Sequence, residues 1–269
     1  MYWLDIFKFS DSNEIEIKYA GRYGAAGEKR GPRIKASPEQ IAAQNQRNRS
    51  KNMRRVIKAN FKVNDHWCTL KYPAGTRKSI EDVKKDLRLF LQRLRRAYAK
   101  KEEEVKFIYR IEIGARGGIH IHIIINRSRG EPASDILIKN AWKAGAVNFQ
   151  NLYADGGWEK LADYITKPPN EEQSEQLSFF PEDEQEALVK YSSSRNLIRP
   201  KPERKFYSRR TVKKILEEGP QPSKGYTIDK ESIRQGVNPY TGRSYLHYTE
   251  IKIKCEPPDR GEKRRKNYV

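Results

Sequence analysis

The run Gly117-Gly118-Ile119-His120-Ile121-His122-Ile123-Ile124-Ile125-Asn126 constrains the fold more than any other stretch of the chain. Branched isoleucines at alternate positions read as a strand, and successive strand side chains point to opposite faces. His120, His122 and Ile124 therefore share one face, and Ile119, Ile121, Ile123 and Ile125 share the other. Two imidazoles side by side on a sheet are either core histidines bonded to carbonyls or half of a metal site.

The preceding segment, 106–113 (KFIYRIEI), reads as a second strand, and the five residues 114–118 are short enough to close a hairpin. In that pairing Ile113 faces Ile119, Glu112 faces His120 and Arg110 faces His122, with opposed Cβ atoms about 4.5 to 5.5 Å apart. Glu112 then joins both histidines. Two imidazoles and a carboxylate with open positions make a divalent-cation site able to polarise a phosphate. The competing reading of Glu112 is an ion pair with Arg110 or Arg116 at the strand end.

Residues 1–20 alternate as strands do around Ile15, Ile17 and Tyr19, before glycines at 21, 24, 27 and 31 mark a loop. Ser37-Pro38-Glu39-Gln40 has the form of a helix start, and the helix it opens carries Arg47, Arg49, Lys51, Arg54, Arg55 and Lys58. Those cations form either a solvated face or a phosphate contact. A strand follows over 66–72. Ser79 then caps an amphipathic helix whose Val83, Leu87, Phe90, Leu91 and Leu94 form a core stripe. A helix over 134–145, a short strand around 147–149 and a helix over 156–167 ended by Pro168-Pro169 complete the pattern.

Consecutive strands joined by a tight loop point to an α+β fold with a central antiparallel sheet and flanking helices, not a doubly wound parallel one. The expected division is one domain over 1–169, an acidic linker over 170–187, and a basic extension over 188–269 ending in a disordered tail.

The last helix supplies a nucleophile. Trp158, Leu161 and Ile165 make its buried stripe, while Lys160, Tyr164 and Lys167 lie on another face. A phenol titrates near pH 10, so a nucleophilic tyrosine gains from an ammonium that favours phenolate or steadies phosphate charge. The charge balance names the partner class: 55 Lys and Arg against 35 Asp and Glu leave a net charge of +20, which calls for a polyanion. Cys68 and Cys255 are the only cysteines and have no C-x-x-C spacing, so a disulfide framework and a zinc module are unsupported. Without a leader-like start or a long apolar run, a cytoplasmic location without membrane contact is expected.

Taken in order, these features resemble the HUH endonuclease superfamily, specifically the single-tyrosine rolling-circle replication initiators, or Rep proteins. Cys68-Thr69-Leu70-Lys71-Tyr72 is similar to the first family motif, His120-Ile121-His122 to the His-hydrophobic-His motif, and Tyr164-Ile165-Thr166-Lys167 to the Tyr-x-x-Lys motif. Glu112 takes the place of the usual acidic residue. Lys71 departs from the pattern, standing where a second Thr is common. The resemblance covers roughly residues 60–170 and implies a sheet of about five strands with RNA-recognition-like topology.

The resemblance also implies an activity: metal-dependent nicking and rejoining of single-stranded DNA at a replication origin, in open or hairpin form. Mg²⁺ or Mn²⁺ would sit on His120, His122 and Glu112, with Tyr164 as nucleophile and Lys167 beside it. No small-molecule cofactor is expected. Thr69, Lys71, Arg110, Arg116, Lys160 and Arg195 are the expected DNA contacts. The sequence has no Gly-x-x-x-x-Gly-Lys-Ser/Thr phosphate loop, so strand separation is expected of a host helicase working with a host polymerase. The alternatives are a single-tyrosine HUH transposase, a conjugative relaxase, and, from a different class, a non-catalytic nucleic-acid-binding protein with structural histidines.

Overall fold

Strand and helix signals of the sequence become ten strands and five helices among the residues described by the computed structural model, which are 1–21, 36–114, 117–152, 157–169, 174, 177, 185, 190–238 and 242–253. The chain divides into two compact units, one formed by 36–200 and the other by 1–35 together with 201–269. Each holds a five-stranded sheet in which all pairings are antiparallel.

The unit 36–200 contains α1 (Pro38–Asn60), β3 (His66–Lys71), α2 (Ile80–Ala99), β4 (Phe107–Ile113), β5 (Ile119–Ile125), α3 (Ser134–Ala141), β6 (Ala146–Asn151), α4 (Gly157–Thr166) and β7 (Tyr191–Ser193). Its sheet order is β6-β3-β5-β4-β7, which puts the histidine strand in the centre. The odd-numbered isoleucines of β5 join Leu87, Phe90 and Leu94 of α2 and Ile138 of α3 in one core. Ile124 joins Met53 and Ile57 of α1 and Ala162 and Ile165 of α4 in a second core. Helices thus cover both faces of the sheet.

Helix α2 begins where Ser79 Oγ accepts the Asp82 amide at 3.1 Å, and it buries Ile80, Val83, Leu87, Phe90, Leu91, Leu94 and Tyr98. At roughly 1.5–3 kcal/mol for each large apolar side chain, this stripe is a main anchor of the unit, and Phe90→Ala alone would cost about 3–5 kcal/mol. Helix α1 starts with a reciprocal cap between Ser37 and Gln40. It is not a freely solvated basic rod: Ser50, Met53 and Ile57 form a buried stripe, Gln46 Nε2 donates to Thr166 Oγ1 at 3.2 Å, and Ser50 Oγ donates to Asp163 Oδ1. Those contacts hold α1 against α4.

The segment after the expected linker returns to this sheet, because β7 pairs with β4 through Ile108↔Ser193 and Tyr109↔Ser192. Asn60 fastens the next residues by donating to the Ile198 carbonyl at 2.7 Å and accepting its amide at 2.8 Å.

The other unit contains β1 (Tyr2–Lys8), β2 (Ser12–Tyr19), β8 (Glu203–Tyr207), α5 (Arg209–Glu218), β9 (Tyr226–Asn238) and β10 (Arg243–Lys252), in sheet order β8-β1-β2-β10-β9. Tyr2, Leu4, Ile15, Ile17, Val212 of α5 and Leu246 form its core. Asp5 is buried between cations, accepting from Arg204 Nε at 2.6 Å and pairing with Lys18 Nζ at 2.8 Å. The unit boundaries therefore differ from those expected at 169 and 187. An isolated hairpin such as β1–β2 is marginal in water and needs further strands, and here these come from beyond residue 200. Of the expected linker only 174, 177 and 185 are described, and the expected disordered tail over 254–269 lies outside the described residues. No described helix is long and apolar enough to cross a membrane.

Candidate active site

The face of β5 opposite its isoleucine core carries the chemistry. Antiparallel pairing with β4 sets Glu112 against His120 and Arg110 against His122, while pairing with β3 sets Lys71 against His120 and Thr69 against His122. Helix α4 lies over the same face, rotated by the burial of Ala162 and Ile165 so that Tyr164 turns toward the histidines. The i, i+3 spacing carries Lys167 to the same place.

Tyr164 donates its hydroxyl hydrogen to Glu112 Oε2, and the same oxygen lies 3.0 Å from His122 Nε2. His122 Nε2 is also 3.0 Å from Glu112 Oε2. On the far side of the ring, Thr69 Oγ1 lies 3.2 Å from His122 Nδ1. A hydroxyl donating there leaves the hydrogen on Nε2, the tautomer that suits the phenol oxygen and the carboxylate. Thr69 is thus a positioning group for His122.

Lys167 Nζ sits 3.3 Å from Glu112 Oε1 and 4.4 Å from the centre of the Tyr164 ring. The ammonium reaches the hydroxyl only through the carboxylate. Burial, reinforced by the hydrogen bond and charge of Glu112, holds the Tyr164 hydroxyl well above the usual phenol range, so Tyr164 is a protonated donor at neutral pH. Burial also lowers the His120 pKa, with a smaller contribution from Lys71, which favours the neutral ring that a metal ligand requires.

Arg110 requires a correction, because the structure does not leave it free to contact DNA. Its side chain is only 2% exposed, and Nη1 donates to the backbone carbonyls of Tyr164 and Ile165 at 3.2 Å and of Lys167 at 2.6 Å. The last carbonyls of a helix have no partners within it, and the negative end of the helix dipole favours a cation there. Arg110 holds the end of the tyrosine helix onto the sheet. Among the other expected contacts, Lys71 is half-buried, Lys160 and Arg195 are exposed, and Arg116 lies outside the described residues.

Sequence reasoning missed Trp67. Its ring stacks on His122 with centroids 5.6 Å apart and planes 18° apart, and it meets Tyr164 edge-on at 5.8 Å. Alternation along β3 was the available signal, because it places Trp67 on the face of Thr69.

The donor set suits a hard or borderline divalent cation in kind, with two imidazoles, one carboxylate and a hydroxyl on the outer nitrogen of one ring. His122 Nε2 and Glu112 Oε2 already converge on one oxygen atom, that of Tyr164. The His120 and His122 rings are 6.4 Å apart, and the described residues include no ready group of three His, Cys, Asp or Glu side chains closed around one point.

Residues 65–169 match a family model of replication-associated proteins, the ORF2 type. The matched segment runs from the residue before β3 through α4, so it contains the whole site, and it is similar in sequence to replication-associated proteins. No curated protein and no solved structure matches the chain.

Proposed function

We propose that the chain initiates rolling-circle replication by nicking and rejoining single-stranded origin DNA through a covalent 5′-phosphotyrosine at Tyr164. The observation that carries this reading is the placement of the Tyr164 hydroxyl against both His122 and Glu112 on the two-histidine face, within a segment similar to replication-associated proteins. A structural tyrosine would need only one acceptor. Here a phenol, an imidazole, a carboxylate and an ammonium meet on the face that also bears a second histidine.

In the proposed reaction Tyr164 Oη attacks phosphorus in line, its proton leaves along the hydrogen bond to Glu112, and the bond from phosphorus to the 3′ oxygen breaks. The products are a phosphotyrosine to the 5′ end and a 3′ hydroxyl. Lys167 holds positive charge over the phenol ring and beside Glu112, where it steadies the anionic phosphate. His120, His122 and Glu112 would hold Mg²⁺ or Mn²⁺, which supplies charge neutralisation at a non-bridging phosphate oxygen. The covalent link preserves the phosphodiester energy, so attack by a 3′ hydroxyl closes a circle without ATP. A host helicase and polymerase would act on the nicked strand.

The test is incubation of the chain with end-labelled single-stranded DNA and Mg²⁺, followed by a denaturing gel. A labelled band at protein mass that disappears in Tyr164→Phe supports the reading. Binding without any adduct at a verified origin sequence would favour a non-catalytic DNA-binding protein.

A further inference from the structure

Beside Tyr164 the unit 36–200 has a cavity of about 430 Å³, lined among others by Trp67, Gln150, Trp158, Lys160 and Leu161. That volume lies within the roughly 300–1,000 Å³ of small-ligand sites. Its walls are mixed in a particular way: two indoles and a leucine supply flat apolar surface, one primary amide supplies a donor and an acceptor, and one ammonium lies exposed at the rim. The reaction proposed above uses none of these five groups.

The β3–β6 register sets Gln150 directly against Trp67, so amide and indole stand side by side on the histidine face. Trp67 already stacks on His122, whereas the half-buried Trp158 makes no ring–ring contact among the described residues. A half-buried indole in a cavity wall is a stacking platform for another flat ring. Base–aromatic stacking is a main attraction available to single-stranded DNA, and a Gln amide can pair with a base edge.

We infer that this cavity takes one unstacked nucleobase of the single-stranded DNA, that of the nucleotide adjoining the scissile phosphate, with Trp158 as its stacking surface and Gln150 reading its edge. The position along the strand rests on the nicking reading, because a phosphate at the Tyr164 hydroxyl puts the neighbouring base within one sugar's reach of the cavity. Lys160 then faces the next phosphate. The site would give the chain base selectivity at the cleavage position, which charge alone cannot supply.

The experiment measures binding without chemistry. Fluorescence anisotropy of the full chain in EDTA compares oligo-dA, oligo-dT and a wholly abasic oligomer, all of equal length and charge. Wild type should bind oligo-dA roughly ten-fold or more tightly than the abasic strand. Trp158→Ala should shrink that ratio at least several-fold, and Trp158→Tyr should keep most of it. Because Trp158 also packs against the second core, Gln150→Ala on the exposed edge strand gives an independent reading: it should fold and lose discrimination between oligo-dA and oligo-dT. Wild-type ratios in both Trp158→Ala and Gln150→Ala would overturn the inference. If those ratios stay unchanged while the chain still forms its covalent adduct, only the base pocket fails. Base-dependent binding without any adduct would overturn only the nicking reading.

Discussion

Arg110 Nη1 donates to the Lys167 carbonyl at 2.6 Å, joining the strand that faces His122 to the end of the helix that carries Tyr164. A guanidinium this deeply buried is costly unless its hydrogens are used, and three helix-terminal carbonyls use them. Arg110→Met removes these bonds while keeping much of the volume. It should lower stability by about 2 kcal/mol, read as a reduced urea midpoint, and Arg110→Lys should recover part of it. In the folded fraction, adduct formation should fall more than DNA affinity, because the helix end that places Tyr164 loosens while the basic surface stays.

Tyr164→Phe keeps the ring against Trp67 and His122 and removes only the hydroxyl. Nicking and the covalent adduct should vanish, with DNA affinity within about two-fold of wild type and the urea midpoint shifted by no more than about 1 kcal/mol. Peptide mapping of the wild-type adduct should place DNA on Tyr164, and adduct on another residue would contradict this assignment.

For the metal, His120→Ala and His122→Ala should abolish cleavage, and Glu112→Ala should reduce it at least about a hundred-fold. Chelator should stop wild-type cleavage while binding persists, and Mg²⁺ or Mn²⁺ should restore it. Full cleavage in excess EDTA would refute the proposed role of these three residues.

His66 gives a pH dependence of stability separate from catalysis. Its ring is 2% exposed, Nε2 lies 2.7 Å from Ser134 Oγ, and burial, with a smaller push from Arg127, lowers its pKa from 6.5 to about 4. Nδ1 has no hydrogen-bond partner, as suits a neutral ring. Between those two values the unfolded chain binds the proton and the folded chain does not. The stabilisation is thus complete above about pH 6.5 and is lost as pH falls toward 4, by up to about 3 kcal/mol. Urea midpoints at pH 7 and pH 5 should differ in wild type, and the difference should be smaller in His66→Gln.

The net charge of +20 predicts salt-sensitive binding, with about 0.7 ions released per phosphate neutralised on a single strand. Affinity for single-stranded DNA should fall along a straight line of log affinity against log salt, and a flat line would exclude the basic surface as the DNA path.

The sequence by itself determined what local periodicity controls. The two-residue repeat of β5 put its histidines on one face, the short loop before it set Glu112 against His120, and the stripe of α4 placed Tyr164 and Lys167 together. These relations need only neighbouring strands or one helix, so alternation and the 3.6-residue turn suffice to read them. The tertiary structure decided the rest, because it depends on pairings between distant residues. Arg110 looks like any strand cation until α4 ends above it, and Trp67 looks like core until its ring meets His122. Residues 1–19 form ordinary strands whose further neighbours lie beyond residue 200, a choice made by burying one apolar sheet face and recorded in no local pattern.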